Sequence, residues 1–400
     1  VKANAISSDG RYVAFTSESS NFVTNPLGRA QVYLRDTVAG TTTLISRDSA
    51  GTGVANGNSS SASISADGRY VAWLSSATNL PGTSLNGLLY AAYVTDTTTA
   101  TTTQVEAWSA SGDRPVLSSD GRYVVFSSTA GPAASGSATQ IYLNDRSPVG
   151  PPTSAIVVGN NTSIDPVIAS GGRYVAYRSV ASDLVVNDTN VGEDIFVTDL
   201  TTSTTTRASV KSTGGQATTS GNCGVTAPSL SSNGRYVVFS SCAPDLVDSD
   251  TNGARDAFLH DNLTGETRRL SDTAAGGDIS IPTISGDGRY VAWVANTSGG
   301  TPFLYLYGPM DTSSCSVSTV GTGAPAPTAT GSPTATATPC AWPPATPMPT
   351  STATATATRT PTPNLGTATP TPTAASIQQV SVATGGTGSN GYSSAMAVSS

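Results

Sequence analysis

The sequence predicts an all-β protein: a six-bladed β-propeller of four-stranded blades, followed by a Thr/Pro-rich disordered or polyproline II linker. Three observations carry this. A ten-residue segment recurs six times, an apolar run follows each of its first five copies and ends at an Asp, and the composition changes abruptly after residue 320.

The recurring segment is ISSDGRYVAF at Ile6 to Phe15. It returns as ISADGRYVAW (Ile64 to Trp73), LSSDGRYVVF (Leu117 to Phe126), IASGGRYVAY (Ile168 to Tyr177), LSSNGRYVVF (Leu230 to Phe239) and ISGDGRYVAW (Ile284 to Trp293), at intervals of 51 to 62 residues. Self-similarity at such a period marks a repeat architecture. Each unit reads as four short strands. The first ends at Ile-Ser or Leu-Ser. Asp-Gly then makes a tight turn, because Gly reaches positive φ without a Cβ clash and Asp accepts from nearby backbone N–H groups. Tyr-Val-Ala-Phe is the second strand. The third is the run QVYLRD ending at Asp36, with counterparts ending at Asp96, Asp145, Asp199 and Asp261, and the fourth is Thr-rich, as in TTTLIS at Thr41 to Ser46. The second strand is apolar at successive positions, so both its faces require burial. A sandwich strand with one wet face would alternate, whereas radially packed blades bury both faces.

Composition agrees. Only 11% of residues are charged, against about 25% in an average soluble protein, and β-branched residues and turn formers dominate over helix formers. The net charge of -7, with Lys2 and Lys211 the only lysines, argues against nucleic acid as a partner, since binding it needs a basic face. No apolar run is long enough to span a membrane as a helix. The chain starts at Val1 inside a repeat and is read as an excised or processed piece, so a missing leader carries no information.

At these residues the chain resembles the TolB-like propellers, whose WD40-like repeat carries S-x-D-G-[RK]-x-[IV]-A-[FW]. All six units follow the pattern, with Gly171 and Asn233 in place of the Asp in units four and five. The resemblance covers about residues 1 to 320. It implies the propeller fold, but such propellers serve as docking modules, peptidase lids and surface-protein building blocks, so it implies little about activity.

The expected organisation is a propeller over 1–320, a linker over 321–375, and over 376–400 either the first strands of a following propeller or a closing strand. Between Gly321 and Ala375 lie 12 of the 25 prolines and 18 threonines, with Arg359 the only charge. Such a tract cannot bury a core and favours extended polyproline II, and dense Thr beside Pro is the composition of O-glycosylated stalks. AMAVSS at Ala395 to Ser400 matches ANAISS at Ala3 to Ser8, predicting a tandem array with a 392-residue period. On that reading residues 376 to 384 complete the following propeller, and Ser316 to Val320 is the local candidate for closing blade six.

The strongest chemical motif is Asp248-Ser-Asp250-Thr-Asn252-Gly253-Ala-Arg-Asp256, a D-x-D-x-N-G-x-x-D run like the start of an EF-hand loop. Oxygen ligands at alternate positions suit Ca²⁺, although Leu259 stands where the bidentate Glu belongs. Asp188, Asn190 and Asp194 form a weaker copy. A structural Ca²⁺ is therefore expected at these loops, against the plainer reading of Asx-rich turns that satisfy their own backbone. His260 is the single histidine and reads as an ordinary surface residue, which argues against Ser-His-Asp hydrolysis and histidine-dependent polysaccharide lyases. A Glu/Asp glycosidase pair is not marked by any motif. The repeat arginines Arg11, Arg69, Arg122, Arg173, Arg235 and Arg289 read as turn or inter-blade partners. Cys223 and Cys242 flank one hairpin while Cys315 and Cys340 bracket the start of the tract, and both pairs are disulfide candidates in an oxidising compartment; the absence of CxxC and the lone histidine argue against zinc.

The function expected from these features is a non-enzymatic, extracellular or cell-surface structural module, one unit of a tandem propeller fibre, filament or stalk. Its partners would be neighbouring copies, with glycans on the linker threonines and no nucleic acid. The alternative is a protein- or glycan-binding module using the loops Ser49 to Ala62 and Lys211 to Asn222.

Overall fold

The computed structural model describes residues 2–310, apart from residues 20, 23–27, 83–89, 107–113, 130–137, 148–152, 191, 219–223, 249, 272–278 and 297–301, and again residues 376–379. Over these residues the chain forms six antiparallel sheets of four strands each and no helix. Blade one sets the pattern, with an inner strand Lys2–Ile6, a second strand Tyr12–Ser17, a third strand Gln31–Asp36 and an outer strand Thr41–Leu44. Blades two to five begin at Ser59, Val116, Ser163 and Ser229 and repeat that order.

The second strands are shut away on both faces, as the repeat required. Tyr236–Ser241 is buried at every position, and Val71 to Ser75 likewise. In each blade the last aromatic of the motif stacks across the sheet on an aromatic of the third strand. The pairs are Phe15 with Tyr33, Trp73 with Tyr93, Phe126 with Tyr142, Tyr177 with Phe196, Phe239 with Phe258 and Trp293 with Tyr305, at centroid separations of 5.0 to 5.9 Å. Each such pair adds about 0.5–1.5 kcal/mol beyond its buried area.

The Asp-Gly-Arg turn builds a second repeated device. The Asp accepts from the preceding Ser hydroxyl and from the Arg amide, as at Asp9, Asp67 and Asp120, and Asn233 reproduces both bonds. In blades one to five the Arg donates through Nε and Nη2 to the Asp ending the third strand of its own blade, at 2.7 to 3.1 Å. Its guanidinium lies over the adjacent Tyr ring at 4.6 to 4.9 Å. That Tyr in turn packs on the turn glycine of the next blade. A Cβ on Gly68, Gly121, Gly172, Gly234 or Gly288 would overlap the ring of Tyr12, Tyr70, Tyr123, Tyr174 or Tyr236 respectively. The arginines thus clamp their own blade and orient the tyrosine that grips the following one.

Five hydrophobic clusters follow the same junctions, each drawing buried side chains from two consecutive blades, for example Val32 and Ile45 with Val71 and Trp73. No such cluster joins blade six to blade one among the described residues.

Blade six differs in its last two strands. Its inner, second and third strands are Thr283–Ile284, Val291–Asn296 and Pro302–Gly308. The outer strand is Ser376–Gln379, paired Tyr305↔Gln379, Leu306↔Gln378, Tyr307↔Ile377 and Gly308↔Ser376. Blade one has the same relation, Tyr33↔Leu44 through Asp36↔Thr41. Within this chain the strand pairs with the propeller at hand, and the Thr/Pro tract falls in sequence between the third and outer strands of blade six. Ser316 to Val320 lies outside the described residues, as do 380–400. Among the cysteines, Cys242 is disulfide-bonded, while Cys223, Cys315 and Cys340 lie outside the described residues.

Candidate functional site: the axial channel and the acidic loops

The antiparallel order sends every Asp-Gly-Arg turn and every third-strand Asp to one face of the propeller. The long connections, which enter the inner strands or join second to third strands, go to the other. The two ends of the axial channel differ accordingly. At the turn end one Ile or Leu and one small residue come from every blade: Ile6 and Ser8, Ile64 and Ala66, Leu117 and Ser119, Ile168 and Ser170, Leu230 and Ser232, Ile284 and Gly286, around a volume of about 180 Å³. The small residues permit close approach, and their backbones join neighbouring blades: Ser8 N–H to Ala66 O at 2.9 Å, Ala66 to Ser119 at 2.8 Å, Ser170 to Ser232 at 3.0 Å and Ser232 to Gly286 at 2.8 Å.

At the loop end the channel widens into a concavity of about 390 Å³ on blades three to six. Its wall carries Pro166 from an inner strand, Pro228 and Pro282 from just before two others, Ile281, which is 53% exposed, and the polar groups Arg114 and Asp165. Asp165 sits in an inner-strand bulge at φ 55°, a region that Asp tolerates better than most residues. Arg178 holds it, with Nη2 2.8 Å from Asp165 and Nη1 3.0 Å from Glu193. Apolar walls with a few fixed charges are the usual make-up of a binding concavity.

The two acidic loops lie on the same face, between second and third strands of blades four and five. In blade five Asp250, Asn252 and Asp256 come together, while Asp248 is exposed. Asn252 Nδ2 donates to Asp256 at 2.9 Å, the Ser271 hydroxyl donates to its other oxygen, and Arg269 Nη1 lies 3.1 Å from Asp250 and 3.7 Å from Asp256. Blade four repeats this. Asn190 donates to Asp194 at 3.0 Å, Ser209 donates to Asp194 at 2.5 Å, and the Arg207 guanidinium lies 3.1 Å from Asp188 and 3.5 Å from Asp194, an ionic contact without aligned hydrogen bonds. Burial, before any other cause, pushes the Asp194 and Asp250 carboxyls up, and the neighbouring Asp256 charge adds to the effect at Asp250.

The oxygens expected to hold Ca²⁺ thus surround a guanidinium. Arg, Asn and Ser groups lie on these carboxylates, and no group of three or more His, Cys, Asp or Glu gathers at metal-binding distance among the described residues. The sequence held a signal for this. Arg207 and Arg269 pair with Phe196 and Phe258 at the outer-strand position where blades one to three have Leu44, Gln104 and Ala155 opposite a Tyr. The arginine occurs in the two blades that carry the acidic loops.

His260 is buried, not a surface residue. It is 4% exposed, its Nδ1 lies 3.0 Å from the Thr267 hydroxyl, and burial pushes its pKa down to about 4. Thr95, Asn144 and Thr198 are buried at the same position, so the site is a polar spot inside blades two to five that His260 fills without reaching the channel.

No family model matches the chain, and no curated protein matches it. Solved structures do. The chain is similar to an oligogalacturonate lyase in complex with manganese, at 16% identity over 76% of this chain and 73% of that one, TM-score 0.51. It is similar to the β-propeller domain of the Trilobed protease from Pyrococcus furiosus, described as having an open velcro topology, at 11% identity over 76% and 81%, TM-score 0.50. TolB from Acinetobacter baumannii aligns at 15% identity over 76% of this chain, TM-score 0.45, and the chain spans 62% of that protein's length. At these identities the likeness is one of fold. The fold is that of a six-bladed β-propeller of four-stranded blades.

Proposed function

We propose that the chain is a non-enzymatic structural module, one propeller of a tandem array in an extracellular or cell-surface fibre or stalk, with Thr/Pro tracts between propeller surfaces and O-linked sugars on their threonines. The observation that carries this reading is where the few charged residues go. Five Arg–Asp clamps, the Arg178 pairs, the Arg207 and Arg269 centres and the Lys211–Asp245 pair join residues of the chain to one another, and the only histidine is buried against a threonine. Charge chemistry here serves architecture. Glycopeptide mass spectrometry of the native protein, with electron microscopy of the assembly, tests it: propellers at a regular axial spacing and hexose on tract threonines are expected, and isolated, unmodified single propellers would refute it.

A second reading has its own observation, the 390 Å³ concavity with Arg114 and Asp165 among prolines. On this reading the module binds a protein segment or glycan on its loop face. Glycan and peptide array binding that is lost in Asp165→Ala would favour it over the structural one.

A further inference from the structure

In blades one to five the outer strand is bound to its own blade by a built turn. The Asp ending the third strand accepts from the backbone N–H two residues on: Val38 to Asp36, Thr98 to Asp96, Ser147 to Asp145, Thr201 to Asp199 and Leu263 to Asp261, at 2.9 to 3.0 Å. Four residues then suffice to return the chain in blades one, two, four and five, and eight in blade three. A carboxylate that takes an arginine and nucleates a turn makes pairing with any other strand uncompetitive.

Blade six has neither part of that device. Gly308 stands where the Asp belongs, so the N–H two residues on, at Met310, has no carboxylate to meet and donates to the Arg289 carbonyl at 2.8 Å, and 67 residues intervene before Ser376. Among the described residues no such turn ties the outer strand of blade six to its own third strand, and the long connection between them enters only through loop closure. Coil dimensions for 67 residues set a lower bound of roughly 45 Å on the root-mean-square span of such a connection, which corresponds to an effective strand concentration on the order of millimolar at most.

We infer that the outer edge of blade six is a strand-acceptor site, and that its occupant in an assembly is the Ser376–Gln379 strand of a second copy of this chain. Backbone pairing supplies the contact, as in β-strand addition generally. Within a tandem array the neighbouring copy is held at an effective concentration like that of the chain's own strand, so exchange carries no penalty in closure entropy, and the Thr/Pro tract becomes the bridge between propellers. This rests on the structural reading above in supposing an array.

The test uses the full 400-residue chain. One preparation carries Leu306→Cys and an isotope label, a second carries Gln378→Cys, and the two positions are directly paired in the sheet. Mixed, gently oxidised and digested, they are expected to give a heavy–light 306–378 cross-link. Its yield should rise about fifty-fold between 10 µM and 1 mM for a tether near 1 mM. The double variant in one chain, at low concentration, reports the closed form. A cross-link confined to single chains at every concentration would overturn strand exchange and leave the tandem-module reading standing. No 306–378 cross-link in either format would overturn it too, by removing the strand from blade six. Unlabelled wild-type chain added in excess should suppress the mixed product; failure to do so would mark the cross-link as non-native and also count against the proposal.

Discussion

The five junctions between consecutive blades and the seam between blade six and blade one are built differently. At each of the five a tyrosine, held by an arginine that is itself held by an aspartate, closes on the next turn glycine over a shared hydrophobic cluster. At the seam the nearest atom to a Cβ on Gly10 is Ile6 Cδ1 at 4.0 Å, Tyr290 packs on Gly308 of its own blade, and Arg289 lies 5.9 Å from its ring with Gly308 in place of the aspartate. The difference teaches that a repeated motif does not guarantee a repeated contact: unit six keeps Asp-Gly-Arg-Tyr but lacks the residue across the sheet that gives the motif its grip.

The largest effect should come from crowding one of the five. Gly172→Ala forces a side chain into Tyr123 at φ +74° and should cost about 4 kcal/mol in urea unfolding, from overpacking plus left-handed strain. Gly10→Ala, at φ +71° with open space, should cost only about 1 kcal/mol. Equal costs would abolish the distinction between junction and seam.

Arg235→Ala strips the clamp from Asp261, a carboxylate 1% exposed, and should cost about 3 kcal/mol, the usual range for leaving one member of a buried pair. The Arg289 guanidinium meets no carboxylate among the described residues, and Arg289→Ala should lower the unfolding free energy by about 0.5 kcal/mol. Installing the missing acid does not repair the seam. Gly308→Asp puts a Cβ 2.5 Å from the Arg289 carbonyl oxygen at φ +140°, and should lower stability by about 2 kcal/mol rather than raise it.

Acid sharpens the same contrast with the smallest effect. His260 has a folded pKa near 4, below its ordinary 6.5. The unfolded chain therefore binds the extra proton between those values, and stability falls as pH drops through that window, by about 1 kcal/mol between pH 7 and 5.5; His260→Asn should flatten this slope. Asp36, Asp96, Asp145 and Asp199 are held below 3.8 by hydrogen bonds from their arginines, Asp199 down to about 2. Their contribution is full above 3.8 and is lost as pH falls below it. Gly308 contributes no such loss, so hydrogen exchange below pH 3.8 should accelerate in the clamped blades relative to its value at pH 5 more than in blade six.

The blades were legible because each hairpin announces itself locally. Asp-Gly fixes the turn, and Tyr-Val-Ala-aromatic fixes a strand buried on both faces. What stayed hidden was non-local. Ser376–Gln379 is four residues without a turn signal, 67 residues from the strand it pairs with, and only the sheet register reveals its place. The arginines that contact the acidic loops, Arg207 and Arg269, sit 13 to 19 residues downstream at the end of an outer strand, beyond the reach of a spacing motif. His260 looked superficial because its neighbours at that position are polar, yet the inside of blades two to five keeps a polar spot bridged to a threonine, as Thr95–Thr102 and Thr198–Thr205 are.

Return of the chain to blade six after a long detour has a mechanical corollary. Tension applied beyond Gln379 meets the four-pair ladder first, while the connection behind it bears no load. Should that ladder part, 71 residues of stored contour, about 240 Å at full extension, pay out before any clamped blade is pulled, so the module would lengthen under stress long before its core gave way.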